Sequence, residues 1–216
     1  MPSTSSTRQR ATRLADGWHT RMGMDSSRGE RWTEQDDLIL RAAERFRRGL
    51  RRDDCTGLLG FNWSRWVEAL DDLLPEFREH DLPLSIVLTD LDQLGVINGN
   101  FGHRAGDEVL GAVGHAFREL VRPLDMVMRG EGDGFQLLLL GADLPVAAQR
   151  AELARATVQQ LFIRRAPTGV TASFGVARHT GTESPAQLGA RAEKAFRQAK
   201  QLGRNRVEVA PPPASC

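Results

Sequence analysis

From residue 53 onward, short apolar segments of strand length alternate with longer segments of helical periodicity, which restricts the fold more than any other feature. Strands separated by helices fit a sheet covered by helices, whereas two strands joined by a tight glycine-rich turn fit a hairpin. Both patterns occur, so the sequence predicts an α/β (α+β) fold, a mixed sheet flanked by helices and including one β-hairpin. The predicted strands are 83–91, 125–129, 135–140, 170–177 and 206–209, and the predicted longer helices are 62–79, 107–120, 145–162 and 185–202.

Four segments divide the chain. Residues 1–32 mix Ser, Thr, Arg and Gly without apolar periodicity, which predicts a flexible leader. Residues 33–52 predict an amphipathic helix that either packs on its own domain or pairs with another copy as a stalk. Residues 53–209 carry the alternating pattern, and 210–216 form a proline-rich tail.

Composition excludes several classes of protein. The formal net charge of +1 argues against bulk nucleic-acid binding. No apolar run approaches the ~18–20 residues of a membrane span, so no membrane-spanning helix is expected. Two cysteines among 216 residues exclude a disulfide framework. A cytoplasmic domain is the remaining expectation.

Acidic residues lie where two of the predicted strands end or turn. Asp90 and Asp92 end an apolar strand, and Asp133 lies in the hairpin turn between two glycines. Two carboxylates and a backbone carbonyl that converge can hold Mg²⁺, which usually also binds phosphate oxygens of a substrate. Acids are common at such positions, so their spacing alone indicates a metal site only weakly.

Several motifs accompany these acids in a fixed order: DDCTGL at 53–58, DLDQLGVINGNFGHRAGDEVL at 90–110, RGEGDGF at 129–135, TASFGVA at 171–177 and AFRQAKQLGRNRV at 195–207. Together they resemble the GGDEF domain of diguanylate cyclases. The resemblance implies a nucleotidyl-cyclase relative of the ferredoxin-like sandwich. It also implies that each subunit binds one GTP and that two subunits, meeting head to head, make cyclic di-GMP and release pyrophosphate.

The resemblance assigns roles to seven residues by position. They would hold a metal ion (Mg²⁺ if GTP binds), recognise guanine through an amide and a carboxylate, and contact phosphate. Other interpretations stay open, because an acid can stabilise the first turn of a helix and cations can stabilise its last turn. The implied set is Asp90, the Leu91 carbonyl and the catalytic Asp133 for the metal, Asn98 and Asp107 for guanine, and Lys200 and Arg204 for phosphate.

The signature departs from the family pattern. It reads Glu131-Gly132-Asp133-Gly134-Phe135, where the family has Gly-Gly-(Asp or Glu)-Glu-Phe. Glu131 adds a negative charge near the nucleotide, and like charges about 4 Å apart repel by roughly 4 kcal/mol at an effective dielectric near 20. Gly134 lacks the acid that the family uses beside the metal, and Gly95 replaces a phosphate-binding lysine. We therefore predict little or no cyclase activity.

A second motif, Arg122-Pro-Leu-Asp125, has the position of the family's product-binding inhibitory site. Arginine offers a planar fork to phosphate or guanine, and the carboxylate can accept from guanine. Arg129 is similar to an arginine that assists this site in some relatives. Alternatively, Arg122 and Asp125 pair only with each other and close a loop.

Three functions follow from these observations. The first is a cyclic di-GMP receptor that signals to an unidentified protein partner. The second is an active or weakly active diguanylate cyclase with product inhibition, and the third is a nucleotide-free interaction scaffold. Homodimer formation is left open.

Overall fold

The computed structural model describes residues 33–48, 50–130 and 132–213. The predicted leader and the position of Glu131 lie outside these residues. The strands are β1 Leu59–Gly60, β2 Leu84–Asp92, β3 Met126–Arg129, β4 Gly134–Leu140, β5 Thr171–Arg178 and β6 Val207–Val209. They form one mixed sheet in the order β1-β3-β4-β2-β5-β6.

Helices cover both faces of this sheet. They are α1 Glu34–Arg47, α2 Trp63–Glu79, α3 Leu94–Phe101, α4 His103–Leu120, α5 Leu144–Gln160 and α6 Pro185–Gln201. Side chains of α3, α4 and α5 share one hydrophobic core with the first face, and those of α1, α2 and α6 share another with the second face. The predicted mixed α/β fold is thus confirmed.

Strand β2 is central, and its alternation decides which face receives each acid. Val87 and Leu91 enter the core of the first face, whereas Ile86 enters that of the second. Asp90 and Asp92 share the parity of Ile86 and meet Lys200 of α6. The strand thus places both carboxylates on the second face, beside the end of α6.

The glycine- and asparagine-rich stretch 98–106, which precedes the predicted helix 107–120, is mostly helical. It contains the end of α3 and the start of α4, separated by Gly102 at φ 82°. Helix α4 consequently begins at His103, four residues before the predicted start at Asp107. Low helix propensity concealed these turns, and contact between the two helices stabilises them.

Helix α1 forms where predicted but ends at Arg47, short of residue 52. Thr33 and Asp36 form a capping box at its start. Its apolar residues are buried in the core of the second face, so in this structure the helix packs on its own domain. No helix in the described ranges is long and apolar enough to cross a membrane.

Helix α6 packs closely on β5 at Gly175. A Cβ atom there would lie 2.3 Å from the Phe196 backbone nitrogen and 2.4 Å from the Ala192 carbonyl oxygen. Both neighbours are backbone atoms of α6, so they cannot move aside without shifting the helix. The absent side chain therefore fixes how closely α6 approaches the sheet.

We expect Gly175→Ala to lower the free energy of unfolding by about 3 kcal/mol through overpacking. Gly99→Ala is the matched control, since a Cβ at exposed Gly99 in α3 meets nothing within 4 Å. That change should raise stability by about 0.5–1 kcal/mol, because alanine favours a helix. Urea unfolding measures both, and equal stability of the two variants would contradict the packing argument.

Candidate functional site

The two candidate metal-binding carboxylates meet where β2 ends beside the hairpin. Asp90 lies opposite Gly134 in the antiparallel register of β2 and β4. The Leu91 amide donates to the Asp133 carbonyl at 3.3 Å. Pairing of these two strands thus brings Asp133, 43 residues away in the sequence, to Asp90.

Asp90 has an unusual proton affinity. Burial, the largest cause, and a hydrogen bond with the Asp133 carboxyl group raise the pKa of Asp90 to about 7. The nearby Lys200 opposes this shift. Burial is therefore the main reason that this carboxyl group holds its proton to near pH 7, and the neighbouring Asp133 adds to the effect.

Lys200 reaches this acidic cluster from the last turn of α6. Its Nζ atom lies 3.0 Å from Asp90 Oδ2, 3.2 Å from Asp92 Oδ1 and 3.4 Å from the Leu91 carbonyl oxygen. The ammonium therefore compensates the charge of both acids. In this structure it contacts carboxylates, so a role in phosphate contact would require it to move.

Asp92 is a structural anchor. It accepts hydrogen bonds from the hydroxyl groups of Thr171 and Ser173, each at 2.8 Å, and from the Asn205 amide at 3.0 Å. These bonds join β2, β5 and the turn after α6. The neighbouring Arg204 is exposed, and Gly203 occupies the C′ position of α6 with φ 110°.

The residues at the end of β2 fit a divalent cation. Asp90 Oδ1 is buried and, among the described residues, has no hydrogen-bond partner. Nowhere in the described ranges do three acidic, histidine or cysteine side chains form a complete ligand cluster. The Leu91 carbonyl would therefore complete the set with Asp90 and Asp133, giving the oxygen ligands that Mg²⁺ prefers.

The candidate guanine-reading residues lie on two adjoining helices. Asn98 of α3 points at Gly106 of α4, where a Cβ would lie 2.0 Å from its Oδ1 atom. That oxygen is buried and lacks a hydrogen-bond partner in the described structure. Asp107 is exposed and is the fifth residue of α4, so it does not stabilise the first turn.

Arg129 organises the signature hairpin. Its guanidinium donates to the carbonyls of Gly130 at 3.0 Å, Gly134 at 2.6 Å and Gly132. It also lies over the Phe135 ring, 4.9 Å from the centroid. The structure therefore directs Arg129 into the hairpin and not toward the Arg122–Asp125 motif that it was predicted to assist.

Arg122 and Asp125 form a closed ion pair. The Nε and Nη2 atoms of Arg122 each lie 3.1 Å from the Asp125 carboxylate, and Nη2 also donates to the Leu140 carbonyl at 2.6 Å. The Asp125 side chain is fully buried, whereas a quarter of the Arg122 side chain is exposed. The loop-closing pair is therefore present, with the arginine as its accessible member.

A basic cavity of about 310 Å³ opens beside this pair. Arg47, at the end of α1, is a member that sequence reasoning missed. Its Nη2 atom donates to the carbonyls of Pro123 at 2.7 Å and Asp125 at 3.0 Å. The arginines that line the cavity are Arg47, Arg52, Arg118 and Arg122, and its acids are Glu119 and Asp125.

Comparison with known proteins defines the class. The family model described as "Diguanylate cyclase, GGDEF domain" matches residues 50–206. The chain therefore belongs to the GGDEF family of diguanylate cyclase domains. Diguanylate cyclase DgcM of Escherichia coli K12 is 40% identical over 126 residues, which are 58% of this chain and 30% of DgcM. This chain thus spans less than a third of that relative.

Solved structures give the same class. The GGDEF domain of DgcB from Caulobacter crescentus, in complex with c-di-GMP, has a TM-score of 0.65 and 27% identity, covering 76% of this chain and 97% of that one. Diguanylate cyclase SiaD of Pseudomonas aeruginosa, in complex with its activator SiaC, has a TM-score of 0.68 and 28% identity. That match covers 95% of this chain and 79% of SiaD.

We expect the raised pKa of Asp90 to make stability depend on pH. Near pH 5 the folded protein holds a proton on Asp90 that the unfolded chain releases, so this contribution is lost as the pH rises to about 7. Asp90→Asn should therefore lose less stability than the wild type between pH 5 and pH 8 in urea unfolding. Asp71→Asn, at an exposed position of α2, is the control. An equal loss in wild type and Asp90→Asn would contradict the assignment.

Proposed function

We propose that this GGDEF domain is a cyclic di-GMP receptor that binds the dinucleotide through Arg122 and Asp125 and has little or no cyclase activity. The observation that carries the proposal is the basic cavity beside this pair, with four arginines along its lining. Guanidinium groups bind phosphate in a bidentate manner, and a cyclic dinucleotide carries two phosphates. The partly exposed Arg122 would contact the ligand while the buried Asp125 holds it in place.

The opposite end of the domain supports binding without turnover. Catalysis of phosphoryl transfer depends on positive charge around the phosphates. In this chain Lys200 already forms ion pairs with two acids at the end of β2. Gly95 supplies no cation, although a side chain would meet nothing within 4 Å there. The structure therefore has room for a basic side chain at position 95, but the sequence has glycine there.

Arg47 gives the receptor a route to a protein partner. Its two hydrogen bonds join the last turn of α1 to the loop that carries the Arg122–Asp125 pair. A ligand that moves this loop would therefore alter the end of α1. The partner would read this change at α1, whose exposed face includes Arg41 and Glu44.

The relatives are consistent with this proposal. DgcB was solved with c-di-GMP, and SiaD was solved with a protein activator. Both matches exceed a TM-score of 0.6, so this chain shares its backbone framework with a protein solved with c-di-GMP and with a protein solved with an activator. We propose that this chain likewise binds cyclic di-GMP and a protein partner.

A weakly active cyclase is the second candidate, and two buried atoms favour it. Asp90 Oδ1 and Asn98 Oδ1 lack hydrogen-bond partners within the described ranges, at the positions that the family uses for metal and guanine. GTP with Mg²⁺ would supply partners for both atoms. Homodimer formation would then be needed, because two GTP molecules must meet.

Calorimetry with cyclic di-GMP tests the receptor. We expect wild type to bind and Arg122→Ala to bind about ten- to a hundredfold more weakly, since a hydrogen bond to a charged group contributes about 1.5–3 kcal/mol. Arg122→Lys keeps the charge without the planar fork and should fall between them. Arg164→Ala, at an exposed position outside the cavity, is the matched control. Failure of wild type to bind would exclude the receptor and leave the weakly active cyclase and the interaction scaffold.

Incubation with GTP and Mg²⁺, followed by chromatography of the nucleotides, tests the cyclase. If the domain is a receptor, we expect no cyclic di-GMP above the level of a blank reaction. Steady product that disappears in Asp133→Ala would instead establish the second candidate.

A further inference from the structure

A second pocket, of about 520 Å³, lies on the second face between the start of α2 and the middle of α6. This volume is within the ~300–1,000 Å³ range of small-molecule sites. Asp90 and Asp133 form one rim, but Asn98, Asp107, Arg122 and Lys200 are not among its lining residues. The pocket thus adjoins the candidate metal site and extends away from both candidate nucleotide sites.

Aromatic rings form its walls. Phe61 and Trp63 line one side, and Phe196 of α6 lines another. Trp63, at the start of α2, is 46% exposed. It stacks on Trp66 with centroids 5.0 Å apart and lies against Gly189, where a Cβ would be 2.4 Å from the ring. The Trp63 ring is therefore held in place while leaving surface available for a planar ligand.

Gln136 is a buried polar residue in the lining of this pocket. It lies on β4, opposite Leu88 of β2, and is only 2% exposed. Both atoms of its amide, Oε1 and Nε2, lack a hydrogen-bond partner in the described structure. A buried amide without partners is costly, so its retention in a pocket lining points to a ligand that supplies them.

We propose that this pocket binds the base of a purine nucleoside. A carboxamide presents one donor and one acceptor in a plane, which matches the paired donor and acceptor on the edge of a purine. The flexible Gln136 side chain would turn its amide toward the base, and Trp63 would stack on it. Asp90 Oδ1, also unpartnered, would accept from an amino group. Carboxylates at Asp133 and Glu193 favour an uncharged ligand over a phosphorylated one.

Titration calorimetry of the full chain with guanosine and with adenosine tests this site. We expect at least one nucleoside to bind wild type, and Gln136→Leu to weaken that binding about tenfold or more. Gln198→Leu, a matched change at an exposed position of α6, should bind as wild type does. Asn98→Ala and Arg122→Ala should also retain binding, which separates this site from the proposed dinucleotide function.

Thermal melting without ligand gives a second readout. Leucine is similar in size to glutamine and needs no hydrogen bonds, so Gln136→Leu should raise the melting temperature by about 2–6 °C. A lower melting temperature would show that the amide is already satisfied. That result, absence of binding by both nucleosides, or loss of binding in Asn98→Ala but not in Gln136→Leu would each overturn the proposal.

Discussion

The antiparallel pairing of β2 with β4 is the constraint on which the candidate sites depend. It sets Asp90 opposite Gly134 and Leu88 opposite Gln136. Strand alternation then sends these residues to the second face, toward α6. A shift of the register by one residue would move every side chain of the strand to the opposite face of the sheet. Burial of the apolar residues of both strands fixes the register and thereby keeps the polar residues at the site.

Charge is distributed unequally between the two ends of the domain. At the end of β2, the three acids Asp90, Asp92 and Asp133 lie together beside Lys200, whose Nζ atom is 3.0 Å from Asp90. At the other end, Asp125 is surrounded by guanidinium groups, and burial lowers the pKa of both Arg47 and Arg150 there. The acids at the end of β2 would repel an anionic ligand, whereas the guanidinium groups around Asp125 would attract it. This contrast is the physical basis for favouring binding over catalysis.

Much of this arrangement could be predicted from sequence. Apolar periodicity located the principal strands and helices, and the motif order indicated the family. The two-residue strand β1 and the helical turns at 98–106 gave no such signal, because glycine and asparagine have low propensity and contacts distant in the chain decide their conformation. Arg47 and Arg129 were missed or misplaced for a related reason. Their guanidinium groups bind backbone carbonyls. Every residue has a carbonyl group, so the sequence does not show which of them an arginine will contact.

Hydrogen exchange of backbone amides with and without cyclic di-GMP tests the central claim most directly, because it reports where the ligand acts. We expect slower exchange in the loop 122–125 and in the last turn of α1, which Arg47 joins to that loop. We expect no comparable change at 90–107, around the candidate metal and guanine residues. Protection confined to 90–107, or no protection anywhere, would contradict binding at the Arg122–Asp125 site.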